Sequence, residues 1–148
     1  MILVDANLLI YSYAEEMPQH PAAHYWLNRQ LNESPRVGLP WPSLLAFVRL
    51  VSNPKAFQNP VPMETAWEQV QSWLRLPSVW VPAPTLRHPE ILGRLLRQPG
   101  VNPNQVPDCH LAALAIEHDL TVCSSDRDFQ QFEGVRWKNP LAAESLSN

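Results

Sequence analysis

The residues of this chain best suited to chemistry are its aspartates. The sequence contains five of them, namely Asp5, Asp108, Asp119, Asp126 and Asp128. All except Asp119 stand where a predicted strand ends or a predicted helix begins, whereas the glutamates fall mostly on predicted helix surfaces. Short carboxylates gathered at such junctions can bind a divalent cation, so this distribution predicts a metal-assisted reaction.

Each aspartate also has a structural interpretation when it is taken alone. Asp5 fits a turn, Asp108 fits the start of a helix, and Asp126 fits the N-cap of a short helical turn. Taken together, two carboxylates about 4 Å apart repel each other by roughly 4 kcal/mol at an effective dielectric of about 20. A group of them therefore needs a cation, and oxygen ligands favour Mg²⁺ or Mn²⁺, which suits the hydrolysis of phosphodiesters.

A sheet covered by helices is the scaffold that would bring these acids together. Short apolar runs predict strands, and stretches with helical spacing alternate with them, which implies a mainly parallel sheet with helices on both faces. The predicted strands are 2–4, 37–39, 79–81, 120–123 and 135–137, and the predicted helices or helical turns are 7–14, 21–31, 43–53, 63–76, 90–97, 107–118 and 128–132. Ligands of such sheets bind outside the carboxyl ends of the strands, where the aspartates are expected.

Composition indicates the class of protein. The 148 residues are 45% apolar and 17% charged, which predicts one folded domain over residues 1–148. We find no apolar run long enough to cross a bilayer and no basic segment of a secretory signal at the N-terminus. Cys109 and Cys123 fit free thiols in a reducing compartment. These features predict a cytoplasmic protein without a membrane partner.

Three segments resemble the signatures of PIN-domain ribonucleases. Residues 2–10, Ile-Leu-Val-Asp-Ala-Asn-Leu-Leu-Ile, are similar to an apolar strand followed by Asp-x-Asn. Residues 107–115 resemble the family's Asp-x-x-Leu-Ala-Ala-Leu-Ala helix, and residues 124–129 are similar to its Thr-x-Asp-x-Asp-Phe element. The resemblance implies a PIN-like three-layer α/β fold, in which a central, mainly parallel sheet of four to five strands has helices on both faces.

The resemblance also implies roles for the acidic residues. Asp5 and Asp108 would bind the metal, and Asp126 would complete the ligand set. Asp128 would be a further member of the catalytic acidic cluster. Asn7 would orient Asp5 or a bound water.

Further side chains are expected to support this site or to contact its substrate. Ser124 and Ser125 follow the fourth predicted strand, and Ser43 is predicted to cap the helix that follows the second strand. Because the formal net charge is −3 and the isoelectric point is about 5.9, binding of a nucleic acid requires a local basic rim. Arg49 and Arg127 are the candidate RNA contacts.

A fourth segment is similar to one subgroup of VapC-type PIN proteins. It comprises residues 39–49 together with Ser52-Asn53-Pro54. The resemblance implies an endoribonuclease toxin of a bacterial type II toxin–antitoxin pair, using Mg²⁺ or Mn²⁺ to cleave transfer, ribosomal or messenger RNA. It further implies inhibition by a VapB antitoxin and assembly as a homodimer.

One departure from the family pattern keeps other interpretations open. The family usually has a glutamate early in the helix after the second strand, whereas this chain has no carboxylate between Glu33 and Glu64 and has Leu44 at that place. A catalytically weak or inactive PIN-like binding module is therefore one alternative. A phosphatase or phosphotransferase of another doubly wound fold, with Asp5 as nucleophile, is the other, although its usual second aspartate is replaced by Asn7.

Two other features have simpler interpretations. His20 and His24 are one helical turn apart and could hold a metal, but the sequence offers no third ligand beside them. Trp67 and Trp73 fit core or dimer contacts better than surfaces for stacking bases.

Overall fold

The structure, a computed structural model, describes residues 1–142 of the chain. Strands and helices alternate along these residues, with two short 3-10 turns at Pro103–Gln105 and Arg127–Gln131. The strands are β1 (Ile2–Val4), β2 (Val37–Gly38), β3 (Val79–Trp80), β4 (Thr121–Cys123) and β5 (Arg136–Lys138). The helices are α1 (Ala6–Tyr13), α2 (His20–Glu33), α3 (Trp41–Val51), α4 (Met63–Leu74), α5 (His88–Leu96) and α6 (Val106–Glu117).

The five strands form one parallel sheet in the order β3-β2-β1-β4-β5. In the centre, Ile2 of β1 stands opposite Val37 of β2 and Thr121 of β4. Because all strands run the same way, their carboxyl ends meet at one edge, and the residues that follow β1 and β4 become neighbours.

Side chains of β1 alternate between the two faces of the sheet. Ile2 and Val4 belong to an apolar cluster formed with α1 to α4, whereas Leu3 belongs to a second cluster formed with α5 and α6. Residues of β4 divide in the same way, since Val122 packs with α5 and α6, and Cys123 with the other layer. The predicted three-layer α/β fold is confirmed.

The start of α3 differs from the prediction. The helix begins at Trp41, with Pro40 as an N-cap residue that has no capping side chain, and Ser43 lies inside its first turn. The predicted cap by Ser43 is therefore wrong, because Pro42 already fits the first turn and starts the helix earlier. The Ser43 hydroxyl is buried and has no hydrogen-bond partner within residues 1–142.

No helix within the described part of the chain combines the length and apolarity that a membrane span requires.

Candidate active site

The acidic residues meet at the carboxyl edge of the sheet, between β1 and β4. Asp5 follows β1, and its backbone N–H donates to the carbonyl of Cys123, the last residue of β4, at 3.0 Å. Asp108 lies in the first turn of α6, the helix that leads into β4. Asp126 precedes the turn Arg127–Gln131, which follows β4, and Asp128 lies within that turn. The parallel topology thus brings together acids that are far apart in the sequence.

Three of these carboxyl groups form a tight cluster. One oxygen each from Asp108, Asp126 and Asp128 lies within 4.8 Å of the other two. Asp108 and Asp126 are partly buried, whereas Asp128 is exposed. Within residues 1–142 no other group of three His, Cys, Asp or Glu side chains meets this distance, so we call this group the acidic triplet.

Asp5 stands beside the triplet in a separate hydrogen-bonded position. Its Oδ1 accepts the backbone N–H of Ala6 at 2.8 Å, which makes Asp5 the N-cap of α1. Its Oδ2 accepts the hydroxyl of Ser124 at 2.6 Å and the amide of Asn7 at 3.2 Å. These bonds fix the carboxylate, since each oxygen has at least one donor.

Asn7 and the two serines after β4 extend this network across the strands. The Asn7 amide also lies 3.1 Å from the Ser124 hydroxyl oxygen, and its carbonyl oxygen accepts the backbone N–H of Ser125 at 3.2 Å. The Ser124 oxygen accepts the backbone N–H of Asp126 at 3.0 Å. Ser124 is fully buried, so its contacts tie the end of β1 to the segment that carries Asp126.

Asp128 is held by a residue that the sequence analysis missed. The side-chain amide of Gln105 donates to Asp128 Oδ2 at 3.1 Å, and Gln105 is itself buried. Gln105 closes a capping box with Asn102, since its Oε1 accepts the Asn102 backbone N–H at 3.1 Å. The spacing Asn-x-x-Gln ahead of the predicted helix at Pro107 was the signal available for this interaction.

The electrostatics of the site indicate excess negative charge. Burial, together with the neighbouring charges of Asp5, Asp126 and Asp128, raises the pKa of Asp108 to about 7. Burial also raises the pKa of Asp5, although the Ser124 hydrogen bond opposes that shift. A carboxyl group that retains its proton near neutral pH among other acids is one that a cation would ionise.

The remaining predicted residues lie outside this network. Leu44 is fully buried in the apolar cluster beside α1, so no carboxylate faces the site from that position. Arg127 is exposed and makes no ion pair within residues 1–142. Arg49 is exposed in the last turn of α3, at the end of that helix away from the sheet edge that holds the acids.

The chain is similar to known proteins in both sequence and structure. The family described as "PIN domain" matches residues 2–135. The chain is 46% identical over 142 residues to Ribonuclease VapC37 of Mycobacterium tuberculosis. The matched region covers 96% of this chain and 99% of that protein. It is 36% identical over 141 residues to Ribonuclease VapC33 of the same species, covering 95% and 99%.

Solved structures show the same fold at lower identity. The crystal structure of FitAcB from Neisseria gonorrhoeae matches with a TM-score of 0.68 and 22% identity, covering 96% of this chain and 99% of that one. VapBC2 from Rickettsia felis, solved with a DNA fragment from its promoter, matches with a TM-score of 0.67 and 16% identity, covering 94% and 98%.

Proposed function

This chain belongs to the PIN domain family and, within it, to the VapC-type ribonucleases, and from that premise we propose that it is a metal-dependent endoribonuclease and the toxin of a type II toxin–antitoxin pair. The observation that carries the metal dependence is the acidic triplet, in which three carboxylate oxygens lie within 4.8 Å of one another. Such a cluster is unfavourable without a cation because like charges repel at this distance.

The donor set fits Mg²⁺ or Mn²⁺. The oxygens of Asp108, Asp126 and Asp128 are hard ligands, and Asp5 offers a fourth carboxylate next to them. These ions bind through few carboxylates and keep several positions for water and substrate phosphate. The absence of a carboxylate at Leu44 therefore leaves a sufficient set.

Each side chain then has a definite task in the reaction. A bound ion would supply positive charge for the phosphoryl group and for activation of the attacking water. Asp108, Asp126 and Asp128 would hold it, and Asp5 would complete the set from the side of β1. Ser124 and Asn7 would keep the Asp5 carboxylate pointed toward the site through their bonds to its Oδ2.

The exposed side chains after β4 are suited to bind the RNA. A cavity of about 420 Å³ adjoins the metal ligand Asp128 and is lined also by Gln105, Arg127, Gln130 and Gln131. The side-chain amides of Gln130 and Gln131 can bond to the edges of an unpaired base, and the Arg127 guanidinium, which has no ion pair within residues 1–142, is available for a phosphate. Arg127 is therefore the proposed RNA contact nearest the acids, and Arg49 stays a prediction at a more distant position.

Partners of the chain are proposed from its relatives and its surface. Among the matching structures is a "DNA bound VapBC from Salmonella typhimurium", which supports a VapB-type antitoxin as partner. Trp41 of α3 stacks on Trp67 of α4, with their ring centroids 6.3 Å apart. These two side chains form an exposed apolar surface together with Leu45 and Met63. A second copy of the chain in a homodimer, or the antitoxin, would cover it. We expect such a pair to act in the cytoplasm.

The direct experiment is RNA cleavage by the purified protein freed of antitoxin. We expect cleavage with Mg²⁺ or Mn²⁺, and loss of it with EDTA or in Asp5→Asn. Asp119→Asn is the matched control, because Asp119 is exposed, pairs with Arg136 and lies outside the site. Cleavage that persists in Asp5→Asn and in EDTA would contradict the proposal.

A catalytically inactive binding module is the second candidate, and the buried Leu44 favours it. Such a module would bind RNA without cutting it in the same assay. The phosphatase interpretation loses its basis, because the chain belongs to the PIN domain family.

A further inference from the structure

His20 and His24 share one face of α2 and contact the end of α1. Their ring centroids lie 5.2 Å apart. The Nδ1 atom of His20 lies 2.9 Å from the carbonyl oxygen of Tyr11, and that of His24 lies 3.2 Å from the carbonyl oxygen of Ser12. Both carbonyls belong to the last turn of α1, where they have no partner inside the helix. The two imidazoles therefore cap that helix.

These contacts determine which ring nitrogen carries the proton. A carbonyl oxygen can only accept, so each Nδ1 must be the protonated nitrogen, and each neutral ring has its lone pair on Nε2. For His24 this agrees with the Asn28 side-chain amide, whose nitrogen lies 3.1 Å from Nε2 as a donor, and a metal ion on Nε2 would take the place of that exposed hydrogen bond. Metal-binding histidines in proteins typically have the same arrangement, with the other ring nitrogen bonded to a backbone carbonyl or carboxylate.

The two rings line a common cavity. It has a volume of about 260 Å³, and Glu15, Asn28 and Gln69 contribute to its wall. The cavity is at the carboxyl end of α1, opposite the end where Asp5 caps the same helix. It is therefore separate from the acidic triplet.

We propose that His20 and His24 bind a divalent transition metal ion, for which Zn²⁺ is the probe. Two histidines one turn apart on a helix present two imidazoles to one ion, and imidazole suits Zn²⁺, Ni²⁺ and Cu²⁺. Glu15 and the two histidines do not form a group whose ligand atoms all lie within 4.8 Å of one another, so the protein supplies two ligands here. Water would occupy the remaining coordination positions of the ion. The chain would thus sort two classes of cation, with oxygen-preferring ions at the acids and nitrogen-preferring ions at α2.

The test is a Zn²⁺ titration by calorimetry in an Asp108→Asn background, which weakens the acidic site. We expect one equivalent of Zn²⁺ to bind, with affinity at least about tenfold lower in His24→Gln, because direct ligands matter at least as much as the groups that orient them. Glutamine retains an amide donor for the Ser12 carbonyl, so thermal melting should report a folded variant.

Two histidines elsewhere provide controls. His118 bonds to the Ala83 carbonyl at 2.7 Å, so His118→Gln removes a similar contact and should leave Zn²⁺ affinity unchanged. His88 Nε2 lies 3.1 Å from His110 Nδ1, which makes this pair the competing nitrogen site. Absence of Zn²⁺ binding, equal affinity in His24→Gln, or a loss caused instead by His88→Gln would overturn the proposal.

A spectroscopic measurement tests the same site by identifying the atoms that bind the ion. The electron paramagnetic resonance spectrum of one equivalent of Cu²⁺ should show hyperfine splitting from two nitrogens in the Asp108→Asn protein. His24→Gln should reduce that splitting to one nitrogen. A spectrum of oxygen ligands alone would overturn the proposal.

Discussion

Two regions at the carboxyl edge of the sheet differ sharply in character. Around β1 and β4, Asp5, Ser124 and Asp126 form a polar network that is hydrogen-bonded throughout. On the neighbouring side, where β2 leads into α3, Leu44 is fully buried among apolar side chains. The Ser43 hydroxyl beside it has no partner within residues 1–142.

This difference indicates where the binding free energy for the proposed cation would come from. The carboxylates come from β1, α6 and the turn after β4, and none comes from α3. The ion would therefore be bound only by residues near β1, α6 and β4, while the neighbouring part of α3 stabilises the fold through apolar packing. Each of the following changes tests one half of this comparison.

The largest effect on activity is expected in the polar half, from Asp108→Asn. Loss of this proposed ligand should lower RNA cleavage by about a thousandfold, which corresponds to roughly 4 kcal/mol of transition-state stabilisation. The metal-free variant should nevertheless melt at a higher temperature than the natural protein, because it has one buried acid fewer. A cleavage assay measures the loss of activity, and calorimetric melting in EDTA measures the change in stability. A lower melting temperature of Asp108→Asn would contradict the claim that burial among other acids raises the pKa of Asp108.

Leu44→Glu tests the apolar half by adding the carboxylate that the family pattern has there. We expect the variant to lose at least about 3 kcal/mol of the free energy of unfolding, because it loses core packing and buries an acid without a partner. Leu44→Met is the matched control and should cost less than about 1.5 kcal/mol. Urea denaturation measures both values. A stable Leu44→Glu that binds Mg²⁺ more tightly would show that this side is a vacant ligand position.

Ser124→Ala sharpens the comparison inside the polar network. It removes the donor to Asp5 and the acceptor for the Asp126 backbone N–H, which should cost about 1–3 kcal/mol of stability. Metal affinity should fall by about 10- to 100-fold, because Ser124 bonds to Asp5 and would orient that proposed ligand. Ser125→Ala is the control, since within residues 1–142 Ser125 bonds to the site through its backbone N–H alone. Equal metal affinity in the two variants would contradict an orienting role for Ser124.

The smallest expected effect is the pH dependence of the metal-free protein. The pKa of Asp108 is about 7 in the folded chain against an ordinary value of 3.8, so between these values the folded state binds more protons than the unfolded state. Its stability should therefore fall as pH rises from 5 to 8 in EDTA, and Asp108→Asn should reduce that slope. Melting temperatures across this range check the sign, and a slope unchanged in Asp108→Asn would assign it to another group.

Much of the polar half could be predicted from the sequence. Asp5, Asp108 and Asp126 stand next to strongly apolar segments, so the elements that carry them were identifiable, and parallel strands bring their ends together. The contacts of Gln105 were not predicted, because a capping box was not recognised ahead of α6. Strand order also depends on packing between distant segments that no local pattern reports.

The apolar half was harder to predict for a physical reason. Serine caps helices well, so Ser43 was assigned to the N-cap, but two prolines and the tertiary packing begin the helix at Trp41. For His20 and His24, the local pattern was identified correctly and the tertiary contacts were missed. Their spacing was recognised, whereas their bonds to the carbonyls of α1 depend on how two helices pack.

The most direct test of the acidic site is a Mn²⁺ titration followed by electron paramagnetic resonance, which detects free ion. The natural protein and Asp119→Asn should bind Mn²⁺ with equal affinity, and Asp108→Asn should bind it at least about tenfold more weakly. Equal affinity in all three proteins would contradict the claim that the acidic triplet is a site for a divalent cation.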